Sequence, residues 1–155
     1  SVNSYDTPMN TPRGIRNNNP GNIRHSKADW LGATEYQKDE SFVQFKEPVW
    51  GLRALMRTLV TYFRTHELRT IEKIINRWAP PEENLTASYV WGVARDMNVP
   101  HRKELELDRA TLILLAQAIT KHENGAPPPD NPEAYWYPYH LYNEASKMAL
   151  PDPTA

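Results

Sequence analysis

The sequence has no cysteine, only six glycines, and a formal net charge of -1 over 155 residues. Without cysteine there is no disulfide scaffold, no thiolate zinc site and no cysteine nucleophile. No stretch reaches the roughly 18 apolar residues of a membrane span, and Ser1 opens no charged-then-apolar signal segment. The expectation is a chain that does not insert into membranes. Also missing are a glycine-rich phosphate loop with its Lys-Ser/Thr, a GxSxG elbow and a HExxH pair. His25, His66, His101, His122 and His140 stand singly, so neither a metal site nor a cofactor is expected. The near-neutral charge argues against a dedicated nucleic-acid binder. Residues 1–78 carry 12 Lys/Arg against 8 Asp/Glu and residues 79–155 carry 6 against 11, an imbalance typical of ordinary surface.

What is present suits one hydrophobic core, since 39% of the residues are hydrophobic and the chain is short for two domains. Residues 1–12, SVNSYDTPMNTP, lack apolar periodicity and read as a tail. Residues 13–150 read as a single domain and 151–155 as a second tail. RGIRNNNPGNIR (13–24) is a structured turn, because Asn and Gly tolerate left-handed backbone, Pro presets φ, and Ile15 and Ile23 supply apolar anchors. WLGATEY and SFVQFKE suggest short strands in a small hairpin.

Helical spacing then takes over. Val49, Leu52, Leu55, Met56, Leu59, Val60 and Phe63 predict a helix from Pro48 to about residue 65. Thr70 caps IEKIINRWA, which Pro80 and Pro81 stop. TASYVWGVARDM (86–97) is a third helix. Asp108 caps RATLILLAQAITKHEN, apolar enough through its middle to be the buried helix, with Gly125 as its left-handed stop. A proline-rich link leads to an aromatic stretch, AYWYPYHLY, that is partly helical after Pro138 and reads as a packing strap. The fold class is mainly α (α+β), a helical body with a small β lobe.

The candidate chemistry lies in carboxylates. Glu123 ends an apolar helix, where the macrodipole already places partial negative charge. Such a setting disfavours the charged form and suits a general acid, as glycoside cleavage requires. A solvent-facing glutamate at a helix end has no such meaning, and periodicity alone does not separate the two readings. Asn18, Asn19 and Asn22 either satisfy their own turn or offer paired donors and acceptors to sugar hydroxyls and N-acetyl groups. Trp50 and Trp78 lie on apolar helix faces and read as core, whereas Trp30, in the turn-rich lobe, is the better sugar-stacking candidate. Tyr89 either packs or reaches a neighbouring acid.

GIRNNNPGNIR, W.G, F..F, GLRALMRTL, TIEKIINRWAPPEEN, TASYV and ITKHENG, in this order over roughly residues 13–125, resemble bacteriophage virion-associated and endolysin-type peptidoglycan hydrolases of the lysozyme-like superfamily. LAQAITKHENG is similar to the acid-bearing helix of goose-type lysozymes, lytic transglycosylases and bacterial glucosaminidases. NNNPGNIR with WLG and SFVQF is similar to the Asn-rich turn and β lobe of the glucosaminidases, and APPEENLTASYV to the transglycosylase segment whose tyrosine approaches the acid. The resemblance implies Glu123 as acid, Tyr89 as its neighbour, and Asn18, Asn19 and Asn22 in the substrate cleft, with Trp30 and Gln44 as further substrate-binding candidates beside them. Asp39, with Glu40 as substitute, is the candidate second carboxylate, either to activate water or to balance the developing positive charge. In those relatives the acid-bearing helix precedes the Asn-rich turn; here it follows. A circular permutation reconciles the orders. Without one, the acid is to be sought among Glu35, Glu40 and Glu47.

The implied function is a peptidoglycan-degrading glycosidase, a muramidase or a lytic transglycosylase, that cleaves between N-acetylated amino sugars. It would be monomeric and free of cofactor and metal, with peptidoglycan and other virion proteins as partners. Its place would be the phage virion or the host cytoplasm before release, and it would act on the wall in the periplasm. Two rivals come from other classes. One is a non-catalytic phage structural or glycan-binding protein of the same fold. The other is a helix-turn-helix in TASYVWGVARDMNVPHRKE, which places Arg95 beside Asp96 and so serves phosphates poorly.

Overall fold

The helix predicted from Pro48 is the longest among the described residues of the computed structural model, which describes residues 10–79 and 82–152. Among the described residues six helices follow one another: α1 (Arg13–Arg16), α2 (Pro48–Arg64), α3 (Ile71–Trp78), α4 (Glu83–Met97), α5 (Arg109–Asn124) and α6 (Tyr139–Ala149). Pro48 sits in the first turn of α2, where its missing N–H costs nothing. The Thr70 side chain accepts from the Lys73 amide to cap α3, and Asp108 accepts from the Thr111 amide at 2.7 Å to cap α5. α4 begins three residues earlier than TASYV suggests, and it ends on Asn98, whose φ of 56° is left-handed. Gly125 has φ 76° and ψ -177°, so it is an extended glycine-only corner instead of the expected left-handed cap.

α2 is the axis of the body. It packs chiefly against α6 and also meets α5, while α4 lies against both α3 and α5. Leu52, Leu55, Leu59, Phe63, Ile74, Leu115 and Ile119 are fully buried between these helices. Each such side chain contributes about 1.5–3 kcal/mol of transfer free energy. The aromatic stretch before and within α6 straps this core: Tyr142 is fully buried and donates to the Tyr135 carbonyl at 2.7 Å. The Trp136 indole donates to the Gly125 carbonyl at 2.8 Å, which ties the strap to the end of α5.

The mainly helical architecture is present; the β hairpin is not. Among the described residues, residues 24–45 make only two isolated antiparallel bridges, Arg24 with Phe42 and Ala33 with Phe45. The reason is that side chains take the place of a ladder. Gln37 donates to the Gln44 carbonyl and accepts from the Gln44 amide, Asp39 accepts from the amides of Ser41 and Phe42, and Asn19 donates to the carbonyls of Ile23 and Val43. Val43, Phe45 and Ala54 form a second, smaller core beneath this segment, against which Trp30 and Trp50 pack. The N-terminal tail is also shorter than residues 1–12 suggest, because the carbonyls of Thr11 and Pro12 accept from Arg16 and so join α1. Residues 1–9 and 153–155 of the expected tails lie outside the described residues.

Candidate functional site

The Asn-rich turn is built by its own amides. Asn18 and Asn22 have φ of 53° and 51°, a left-handed backbone that asparagine accepts more readily than other side chains. Asn19 is fully buried and makes three hydrogen bonds, to the Ile23 carbonyl, the Val43 carbonyl and the Ile23 amide. The turn lies directly on two helices that have no side chain to spare there. A Cβ on Gly51 would collide with the Asn18 carbonyl, and one on Gly14 would stand 2.5 Å from Asn124 Oδ1 and 2.8 Å from Asn22 Oδ1.

The end of α5 docks into this turn through two consecutive residues. Asn124, buried, donates to the carbonyls of Pro20 and Thr120, both at 2.9 Å. Glu123, half-buried, accepts from Asn22 Nδ2 at Oε1 over 2.9 Å and from the Tyr89 hydroxyl at Oε2 over 2.8 Å. Three segments far apart in sequence thus converge on one carboxyl group. Lys121 does not neutralise it, since its ammonium pairs with Asp96 at 3.4 Å.

Tyr89 is buried on α4. Burial, and after it the Glu123 charge, push its phenol well above the ordinary tyrosine range, against an opposing hydrogen bond from Trp78. Tyr89 therefore keeps its proton and acts as a donor. His122 stacks on the Tyr89 ring with centroids 3.6 Å apart and 21° between planes. Desolvation holds this imidazole below its usual range, although Glu123 and Asp96 pull the other way.

Glu123 opens onto a cleft of about 420 Å³ between the turn and the helical body, lined also by Asn22, Arg24, Phe42, Tyr62 and Trp78. Among the described residues lining it, Glu123 is the one carboxylate. A hollow of comparable size lies between α3 and α4, but its carboxylate, Glu72, is engaged by Arg102 at 3.2 Å and His101 at 3.5 Å. Among the described residues no cluster of His, Asp or Glu has the makings of a metal site.

No known family pattern matches the chain. Over 128 residues it is 40% identical to protein P5 of Pseudoalteromonas phage PM2, a match covering 80% of this chain and 79% of that protein. The chain belongs to the family of that phage protein. Among the described residues of this P5-family chain, no helix is long and apolar enough to cross a membrane.

Set against the P5-family structure, the expected site residues divide. Glu123, Asn22 and Tyr89 come together in direct contact. Asn18 and Asn19 face inward, Asn18 donating to the Phe45 carbonyl at 3.0 Å, and they shape the turn without lining the cleft. Trp30 packs against the small core, whereas Trp78 packs against the main core as expected and also borders the cleft, which makes it the aromatic candidate there. Gln44 is tied to Asn17 at 3.1 Å and lines a separate hollow with Glu35.

Asp39 does not line the cleft either. Both its oxygens are held by Arg13 at 2.7 Å, and Asn17 and the amides of Ser41 and Phe42 take the remaining lone pairs. The Arg13 guanidinium first, and these other donors after it, hold its carboxyl far below the usual range. A carboxylate so engaged is a structural knot with no capacity to activate water. Glu40 is exposed and outside the cleft, as are Glu35 and Glu47. Residue patterns missed Arg24, Phe42 and Tyr62. Arg24 closes the NNNPGNIR run, and its position after the turn was the available signal.

Proposed function

We propose that this chain is a peptidoglycan-cleaving glycosidase that uses Glu123 as its general acid. The observation carrying this reading is the convergence of Asn22, Tyr89 and Glu123 at the wall of an open cleft. Each carboxyl oxygen accepts one hydrogen bond and retains a second lone-pair site for a proton or a glycosidic oxygen. Two donors from different elements fix the group's orientation, which general acid catalysis depends on. Trp78 and Tyr62 offer aromatic faces to sugar rings in the same cleft.

The lack of a second carboxylate among the described lining residues favours intramolecular attack over hydrolysis. Glu123 gives its proton to the glycosidic oxygen as the C–O bond breaks. A hydroxyl of the same sugar then bonds to the anomeric carbon and returns its proton to the Glu123 carboxylate. The products are an anhydro-sugar end and a free sugar end, as in lytic transglycosylases. Mass spectrometry of digested cell wall tests this: anhydro ends are expected, reducing ends would restore a water-activating group, and intact strands would refute the reading.

A second reading has one observation of its own. Two hydrogen bonds on Glu123 are also what a purely structural clamp between turn and helix requires, as in a non-catalytic, glycan-binding phage protein. Glu123→Gln separates the two, because it removes the acid and keeps the shape and one of the two acceptor oxygens. Loss of lysis of permeabilised cells by about 100-fold or more is expected for the enzyme. Unchanged lysis in that variant would rule Glu123 out as the acid.

A further inference from the structure

Two arginines flank the Glu123 cleft without an acidic partner. Arg24 lines it, with its guanidinium carbon 4.9 Å from the centroid of Phe42. Arg77, at the end of α3, lies 5.5 Å from the centroid of Tyr62, which also lines it. Both arginine side chains are exposed, and among the described residues no carboxylate pairs with either one. The contrast with Arg13 is informative. It covers the same Phe42 ring at 4.7 Å, but Asp39 neutralises it through two hydrogen bonds.

An arginine resting against an aromatic ring keeps N–H donors to spare, even Arg77, which gives one to the Tyr62 hydroxyl, and two parallel donors match a carboxylate in two-pronged geometry. The planar fork is also pre-organised, so less entropy is lost for each hydrogen bond when an anion is gripped. Two such cations at a cleft holding one catalytic acid form a recognition pattern for a substrate that carries negative charge beside its scissile bond. In peptidoglycan the lactyl-substituted amino sugar, with its attached peptide, supplies such carboxylates; a plain N-acetylglucosamine polymer has none.

Building on the glycosidase reading, we infer that Arg24 and Arg77 select carboxylate-bearing, peptide-substituted glycan strands over neutral amino-sugar polymers. The test uses Glu123→Gln protein, which binds without turnover. It is titrated by NMR with a disaccharide-peptide fragment of cell wall and, separately, with an N-acetylglucosamine oligomer. At low ionic strength the charged fragment is expected to bind about fivefold more tightly, and high salt removes the difference. Adding Arg24→Gln and Arg77→Gln abolishes the preference, and each single change removes part of it should the combination melt early.

Equal affinities in the parent, or a preference that survives both substitutions, would overturn the inference while leaving the glycosidase reading standing. If neither glycan perturbs cleft resonances, the glycosidase reading falls as well. Duplex DNA that displaces the fragment would reassign the two cations to phosphate and overturn the proposal.

Discussion

Asn22 donates its side-chain amide to Glu123 across 101 residues of sequence, at 2.9 Å. This bond and the Tyr89 hydroxyl hold the same carboxyl group from two sides, so each can be removed with a different expected signature.

Tyr89→Phe keeps the ring that packs on His122 and deletes the donor to Oε2. On the proposed glycosidase reading, turnover is expected to fall about tenfold with little change in KM, since there the hydroxyl would orient the acid and not hold the substrate. Steady-state kinetics on soluble wall fragments measure the split. A large rise in KM with normal turnover would contradict the assignment.

Gly14→Ala and Gly51→Ala probe how closely the turn sits on its helices. The first puts a methyl group against two asparagine side chains and, at 2.9 Å, the Asn19 carbonyl, and should cost about 1–3 kcal/mol in urea unfolding. The second meets the Asn18 backbone carbonyl, which cannot rotate away, and is expected to cost more. A neutral Gly51→Ala would mean that the turn does not lie on α2.

Asp39 links stability to acid. Its carboxyl is depressed in the folded protein, so it stabilises the fold fully above the unfolded value of about 3.9. That contribution declines as pH falls from there toward the lower folded value. Thermal melts from neutral pH downward are expected to show this loss, with a shallower slope below about pH 4 in Asp39→Asn. The same variant should be less stable at neutral pH by about 1–3 kcal/mol, because Arg13 and two backbone amides lose a charged acceptor.

His122 shifts the other end of the scale. Its folded pKa is lowered, so the folded state binds fewer protons than the unfolded chain, and stability declines as pH falls from about 6.5 through the folded midpoint. NMR titration of the ring should give a midpoint below 6.5, and Tyr89→Ala, which opens the stacked face to water, should raise it. A midpoint unmoved by that substitution would place the desolvation elsewhere.

Much of the helical body was legible because apolar spacing, Pro48, Thr70 and Asp108 all act within a few residues of themselves. The caps at Thr70 and Asp108 form as their positions imply. The segment from 24 to 45 was less legible. Its β-branched and aromatic residues suit strands, yet Asn19, Gln37 and Asp39 capture the backbone groups that a ladder would use. Asp39 shows the same limit at the level of chemistry, since a single arginine 26 positions away converts a candidate water activator into an ion pair. Trp78 meets its expected core and also borders the cleft, while Trp30 packs against the small core, because burial depends on which side of a fold an aromatic meets.

The contacts on Glu123 also bear on when in the protein's life its cleft exists. A chain still on the ribosome, with Asn22 and Tyr89 emerged and α5 not yet made, lacks the reacting group altogether. The cleft wall is therefore completed only when the turn and the late helix meet across 101 residues of sequence, a non-local step of folding.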